Sequence, residues 1–415
     1  MEDVAAPPRA GAARRDAMIK HLLRLVWNRK RFNFLITLEI FVSFLVLFTV
    51  MMFVVYYAYN YSQPLGFKYE NVLNVQIDVK QQSDDYFTSE QHELTRQLFL
   101  AVKDMPEVES VASALSVPYQ MSGSSGVSRF NGKNIEYERD EVTDGLKEVL
   151  DLQVVAGRWF SREDDAAQFL PVVLNRRMAE AMYGAEDPVG KVFNPEMNGG
   201  KESRVVGVVS DFRKRGELAG PGNFLFTRKN LNNPKERPPR NLVIKVRPGV
   251  TAEFEEQLAN KLQSVAKDWS FEVASLASLR ESLFRIQLSP IVVLGIIAAF
   301  LMIMVALGLT GVLWQSVTQR RKEIGLRRAN GATAARIKNQ ILGELLLVAT
   351  FGLLLGVLIV VQFPLLDVIG FISGKIYIYS ILASALTIYL LTILCGLYPS
   401  WLATKVQPAE ALHYE

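Results

Sequence analysis

Gln319 to Glu344 reads QRRKEIGLRRANGATAARIKNQILGE, a basic, polar stretch set between two strongly apolar runs. It is too short to be a domain. The apolar neighbours make it a connector between membrane spans, and its Lys and Arg content places it on the cytoplasmic side. Its first half, Gln319 to Ala329, is built from good helix formers. Asn330-Gly331 is a stop signal, because glycine accepts the left-handed backbone that follows a helix end. Thr333 can then cap a new helix that runs through Ile337 and Leu342 into the next span. The spacing predicts a short helix, a sharp corner, and a continuous helix entering the membrane. A basic loop needed only for topology would explain the charges but not this order of stop and cap.

Working outward, the 415-residue chain is 50% hydrophobic with a formal charge of +4, and its mean hydropathy is +0.15. A soluble chain of this length rarely reaches that hydropathy. The composition predicts an α-helical membrane protein with four transmembrane helices and a large mixed α/β extracytoplasmic domain made of two subdomains. The first span is expected over 33–58, where Phe34 to Tyr57 supplies roughly 24 residues, enough to cross about 30 Å of hydrocarbon. Three more are expected over 288–316, 341–363 and 376–401. Tyr56, Tyr57, Tyr59 and Tyr61 suit an aromatic belt at the far interface of the first.

The positive charges set the orientation. Arg14, Arg15, Lys20, Arg24, Arg29, Lys30 and Arg31 precede the first span, and seven more lie between Arg320 and Lys338. The loop between the third and fourth spans holds only Lys375. Both termini and the connector are therefore expected in the cytoplasm and the long middle segment outside. Clustering at the membrane explains the small basic excess, which gives no support to nucleic-acid binding. Residues 1–15, rich in Ala, Pro and Arg, read as a disordered tail. Over 16–32, Ile19, Leu22, Leu23 and Val26 share a helical face opposite basic residues. That suits an amphipathic helix on membrane lipids, or equally a lead-in to the first span. Cys395, the one cysteine, cannot form an intrachain disulfide.

The middle segment, 59–287, reads as mixed α/β. Strands are expected over Val72–Val79, Val108–Val117, Pro171–Asn175, Ser203–Val209, Asn241–Val246 and Phe271–Leu276, with helices over Ser89–Lys103 and Thr251–Asp268. MSGSSG (Met121 to Gly126) reads as a flexible link, and Asn232–Pro239 as a loop. The pattern suggests an outer α/β subdomain (59–118 and 225–287) with a β-rich one (119–224) inserted in it.

No catalytic constellation emerges. His21, His92 and His413 have no metal spacing, and Arg96 stands where His92-Glu93 would need a second zinc ligand. GAEDPVGK (Gly184 to Lys191) departs from a phosphate loop in glycine spacing, and Val192 replaces the magnesium-binding hydroxyl. Among polar groups in the spans, Glu39 is a functional candidate by position, or a carboxylate reaching the cytoplasmic headgroups. Glu344 is placed to pair with a basic residue of the connector. Gly308 and Gly311, and Gly352 and Gly356, allow close helix approach.

The connector resembles the signature of the FtsX-like permease domain through Glu323, Ile324, Gly325, Arg327, Ala329, Gly331, Ala332, Gln340 and Glu344. The chain's end, Tyr398-Pro399 through Ala403 and Val406 to Leu412, resembles that family's tail. Gly157-Arg-Trp-Phe160, Val173-Leu-Asn175, Asp187-Pro-Val-Gly-Lys191 and Val205 to Phe212 resemble the MacB-type periplasmic core domain. The resemblance implies a type VII ABC transporter permease in a bacterial inner membrane, with an FtsX-like permease domain over 288–415 and a coupling segment over 318–338. It implies a dimer with a second permease copy or paralogue, working with a cytoplasmic ABC ATPase that binds the ATP, since too few residues precede the first span to hold one. No cofactor of the chain's own is expected. The residues expected to meet the ATPase are Arg320, Arg321, Lys322, Glu323, Ile324, Gly325, Arg327, Arg328, Ala329, Gly331 and Ala332. MacB-like export or efflux would add a periplasmic adaptor and an outer-membrane channel. LolC/LolE-like lipoprotein release and FtsX-like control of cell-wall hydrolases are the other functions the resemblance allows.

Overall fold

The computed structural model describes residues 30–79, 88–130, 132–194, 202–233, 238–250, 252–366, 370 and 372–404. The expected tail, nearly all of the expected amphipathic helix, part of the 232–239 loop and the motif after Thr404 lie outside them. The chain divides into two compact units, Tyr57–Leu288 and a second assembled from Met1–Tyr56 with Ser289–Glu415.

Among the described residues, Tyr57–Leu288 is organised by one mixed sheet of eleven strands. In chain order they are β1 Val72–Asp78, β2 Val108–Ala114, β3 Ser124–Phe130, β4 Lys133–Val142, β5 Val154–Gly157, β6 Leu170–Asn175, β7 Val192–Asn194, β8 Ser203–Val209, β9 Phe224–Arg228, β10 Asn241–Val246 and β11 Ser270–Ser275. The spatial order is β11-β1-β10-β2-β4-β9-β6-β8-β5, with β3 added to β4 and β7 to β8. Two half-sheets meet at β2 and β4, which pair at a single position, Ala114 with Val142. The expected boundary at 224/225 falls inside β9, which pairs with β4 and β6. The chain returns to the first half-sheet only at β10, beside β1 and β2.

Packing follows the sequence patterns. Helix α2, Ser89–Lys103, starts at a reciprocal cap in which the Thr88 side chain accepts from Gln91 N and the Gln91 side chain from Thr88 N. Its Leu98 and Val102 join Phe254, Leu258 and Leu262 of α5, Ala252–Val265, against the apolar side chains of β1 and β10. The second half-sheet packs on α4, Arg176–Tyr183, through Met178, Ala179, Met182 and Tyr183. Short helix α3, Leu146–Leu150, lies in a third core with Trp159, Phe212, Phe224 and Phe226. Gly157 of β5 and Gly207 of β8 are partners in the sheet. A Cβ on Gly207 would lie 2.1 Å from Arg158 O, and one on Gly157 2.3 Å from Val206 O. Both positions exclude a side chain because the two backbones touch, which accounts for the glycines of the Gly157-Arg-Trp-Phe160 and Val205 to Phe212 motifs.

Two expectations for this unit change. Met121–Gly126 is not wholly a link, since Ser124–Gly126 open β3 and pair with Tyr137–Arg139 of β4. Leu276 ends no strand. It begins helix α6, Leu276–Gln319, directly after β11. The first turns of α6 are amphipathic, with Leu276, Leu279 and Leu283 on the core, and their polar residues hide them from a hydropathy window.

Among the described residues, the other unit holds four helices long and apolar enough to cross a membrane. They are α1, Lys30–Tyr61, the greater part of α6, α8, Ala334–Val360, continued by the short α9, Gln362–Leu365, and α10, Gly374–Thr404. Between α6 and α8 lies α7, Arg321–Ala329. Ile36, Ile40, Phe44 and Phe48 of α1 pack with Leu345, Ala349 and Leu353 of α8, and with Tyr377 and Ile388 of α10. The four-residue glycine spacing of α8 faces α1. A Cβ on Gly352 would lie 2.9 Å from Thr37 O, and one on Gly356 2.2 Å from Phe44 Cδ1. Small residues here let the two helices approach closely, the usual basis of helix association in lipid.

Candidate coupling site

The corner in the connector is built by four residues, Arg320, Asn330, Gly331 and Thr333. Helix α6 ends at Gln319 and α7 begins at Arg321, with Arg320 between them out of helical geometry (φ −101°, ψ 13°). Asn330 closes α7, and Gly331 follows at φ 84°. Gly331 N donates to Arg328 O and Ala332 N to Arg327 O, both at 3.0 Å. That pair of bonds is the Schellman ending, which satisfies helix carbonyls that would otherwise lack donors. Thr333 then caps α8, its hydroxyl accepting from Arg336 N at 3.3 Å.

Side chains brace this corner. Arg320 donates to both carboxylate oxygens of Glu344, at 3.0 and 2.8 Å. Gln340 donates to Glu344 at 3.2 Å and accepts from Arg327 at 2.7 Å. Arg327 also donates to Glu323. Glu323, Arg327, Gln340, Glu344 and Arg320 thus form one unbroken chain of hydrogen bonds from the end of α6 through α7 to α8. Beside it, Val317, Ile324, Ile337 and Ala403 make a small apolar cluster shared by α6, α7, α8 and α10. Arg328 donates to Thr404 O at 2.6 Å, tying α7 to the end of α10. Charge-assisted bonds of this kind are about twice as strong as neutral ones.

The remaining expected residues divide by exposure. Gly325 is buried like Ile324, whereas Lys322, Ala329 and Gly331 are exposed and Ala332 is half-buried. Arg321 is the first residue of α7. Sequence reading missed Leu326, which is 54% exposed on α7 between the buried Gly325 and the braced Arg327. An apolar residue exposed on a basic helix is the signal that marks it.

Glu39 lies against α6, where a Cβ on Gly308 would be 2.8 Å from Glu39 Oε2. One turn along α1, Ser43 is buried. Gly308 therefore accommodates the carboxylate, while Gly311 has open space around it.

A further set of residues, absent from the sequence reading, lies in Tyr57–Leu288 where the ends of α1 and α6 enter that unit. Buried Arg213 donates to Asn60 O at 2.8 Å, Gln63 O at 2.9 Å, Glu217 O at 2.6 Å and Ala219 O at 2.5 Å. Asn60 donates back to Leu218 O at 3.2 Å. Glu217 accepts from Arg280 of α6, and Tyr57, expected in an interfacial belt, donates its hydroxyl to Gln287 O at 3.1 Å. The segment after β8 therefore holds both helix ends. Arg213 opens the basic run Arg213-Lys214-Arg215, which reads as solvated loop charge and does not announce this.

Among the described residues no group of His, Cys, Asp and Glu is placed to hold a metal ion. Arg96, standing at the second zinc-ligand position, is ion-paired with Glu93, whose carboxyl it holds down at about 2. In GAEDPVGK, Asp187 accepts from Val189 N at 3.0 Å, and Gly190 N donates to Val205 O at 2.8 Å. It is a sheet-bound turn whose amide is already used, and no phosphate cradle.

Residues 37–261 match the MacB-like periplasmic core domain, and residues 295–408 the FtsX-like permease C-terminal domain. Among curated relatives, the macrolide export ATP-binding/permease protein MacB of Bdellovibrio bacteriovorus is 26% identical over 336 residues, 76% of this chain and 50% of that protein. MacB of Marinobacter nauticus is 27% identical over 75% of this chain and 48% of its own length. The chain thus spans about half the length of these relatives. The uncharacterized ABC transporter permease YknZ of Bacillus subtilis is 23% identical, over 69% of this chain and 72% of that one. The periplasmic region of MacB from Actinobacillus actinomycetemcomitans aligns with 52% of this chain and 93% of its own, at 16% identity and a TM-score of 0.37. With four candidate spans and a large periplasmic domain, the chain belongs to the MacB/FtsX-like ABC transporter permeases.

Proposed function

We propose that the chain couples ATP hydrolysis by a separate cytoplasmic ABC ATPase to movement of its periplasmic domain, as half of a permease dimer, to export a drug, peptide or other periplasmic substrate. The observation that carries this reading is the braced corner. A helix pinned to α6, α8 and α10 by charge-assisted bonds cannot yield locally, so a push on it moves the spans. The docking face is α7, with Leu326 as its apolar anchor, ringed by Lys322 and its neighbours. Apolar anchors surrounded by polar rims carry most of the energy of protein interfaces.

The positive charges of the connector support a cytoplasmic position for it and for both termini. Two relatives are named for macrolide export, which favours export over the lipoprotein-release and hydrolase-control alternatives; a periplasmic adaptor and an outer-membrane channel would complete such a route.

The test is ATPase stimulation by the permease, reconstituted in nanodiscs with its cognate ATPase. Leu326→Glu, Glu323→Pro and Gly331→Pro should each insert normally yet abolish stimulation. Full stimulation by all three variants would show that α7 is not the coupling element.

A further inference from the structure

A cavity of about 1000 Å³ lies in Tyr57–Leu288 where the two half-sheets part. Its origin is visible in the backbone. Beyond the single Ala114–Val142 pairing, Leu115 N and Ser116 N are within 2.9 and 3.3 Å of the Asp140 carboxylate, and β2 leaves β4. Lys214, buried behind the wall, donates to Ser116 Oγ and Ser122 O, both at 2.7 Å. Ser116 Oγ in turn donates to Asp140 Oδ2 at 2.9 Å. At Gly123 a Cβ would lie 2.5 Å from Lys214 Nζ, so this position excludes a side chain unless the ammonium moves. Ser116 Oγ thus bridges the two buried groups.

The groups facing the space are of both signs. Asp78 and Arg240 come from the first half-sheet, and Ser124, Arg139, Glu141 and Lys229 from the second. Lys229 lies 3.4 Å from Glu141. Arg139 donates through Nε to Ser124 at 3.0 Å, and among the described residues its two terminal nitrogens have no partner. Ser124 opens β3, which among the described residues pairs only with β4 and so offers the alternating N–H and C=O groups of a free strand edge leading away from the space.

We propose that this cavity binds the C-terminal end of a short, extended peptide, its carboxylate on Arg139 and its backbone along β3. A guanidinium fork matches a carboxylate in geometry and charge. An added strand satisfies a free edge through main-chain bonds. The volume is at the upper end of the range, about 300–1,000 Å³, in which such ligands bind. Asp78 and Glu141 disfavour a purely anionic ligand and accept the N–H groups of a peptide. The inference concerns the periplasmic unit and stands whether or not α7 is the coupling element.

The probes are trialanine and trialanine amide, titrated calorimetrically against the full chain in nanodiscs. Trialanine should bind saturably, about tenfold tighter than its amide, as expected for loss of one charge-assisted pair. Arg139→Gln should equalise the two, and Arg96→Gln, on α2, should leave the preference intact. The comparison of acid with amide needs no variant, so it decides even if Arg139→Gln folds poorly. Absence of saturable trialanine binding, or equal affinity for acid and amide in the unaltered chain, would overturn the proposal. So would an acid preference that survives in folded Arg139→Gln.

Discussion

Arg320 grips Glu344 with one guanidinium nitrogen, reaching both carboxylate oxygens at 3.0 and 2.8 Å across the break between α6 and α7. Both side chains are less than one-fifth exposed, 16% and 19%. Screening by solvent is therefore weaker than for a surface pair, and removing one partner strands the other in a poorly hydrated place. Glu344→Gln should lower the melting temperature of the detergent-solubilised chain, by an amount corresponding to about 1–3 kcal/mol. Arg320→Gln in the same background should add little further loss. Additive losses in this double-mutant cycle would mean that the two residues do not act as a pair.

Gly356 and Phe44 give a second prediction. The position of a Cβ on Gly356 is already occupied by the Phe44 ring, at 2.2 Å from Cδ1, and Phe44 is fully buried. Gly356→Ala must therefore push α1 from α8 or turn the ring, at a cost of about 1–3 kcal/mol for an overpacked site. Phe44→Leu should recover most of the loss. Thermal unfolding of the two single variants and the double variant in one detergent reads this directly, and an undisturbed Gly356→Ala would contradict the helix contact.

Much of this architecture was legible beforehand. Four spans follow from the length of the apolar runs, the helix Ser89–Lys103 and the strand Asn241–Val246 from periodicity, and Asn330-Gly331 with Thr333 spelled out the corner because stop and cap chemistry is local. What could not be read depends on distant neighbours. Glu344 is expected to pair with a connector cation, as it does with Arg320, but the joining of Glu323, Arg327 and Gln340 to it in one chain requires α7 to fold back beside α8. The early start of α6 at Leu276 is hidden by its polar face. Arg213 and Lys214 look like loop charges, and only the segment's burial between helix ends and half-sheets gives them partners.

Arg213 yields a third prediction. Its two terminal nitrogens serve four carbonyls, those of Asn60, Gln63, Glu217 and Ala219. A lysine ammonium has three donors on a point charge and cannot reproduce the planar fork. Arg213→Lys should therefore be nearly as damaging as Arg213→Met, each stranding buried carbonyls at about 1–3 kcal/mol per group. Hydrogen exchange should rise at Asn60–Gln63 and Glu217–Ala219 in both variants, with β10 unaffected. Full protection in Arg213→Lys would show that charge alone suffices.

Asp140 supplies a prediction with a sign. Burial pushes its carboxyl up to about 7, against the opposing pull of Lys214 and the Ser116 and Leu115 donors. A folded-state value above the unfolded one means that the native state holds the proton more tightly. The contribution to stability is complete below the unfolded value of about 3.9 and is lost as pH rises through about 7. Lys214 is itself lowered by burial, with Asp140 and Glu138 pulling it up and Arg215 pushing it further down. Paired carboxylates elsewhere, such as Asp164 with its value lowered, favour the native state in the opposite sense. The test is thus a difference: the melting temperature of the unaltered chain minus that of Asp140→Asn, which cannot titrate. This difference should fall steadily between about pH 4 and pH 7 and level off above. A difference that is flat or rises over that range would show that Asp140 is ionised throughout and that Lys214, bridged by Ser116, outweighs its burial.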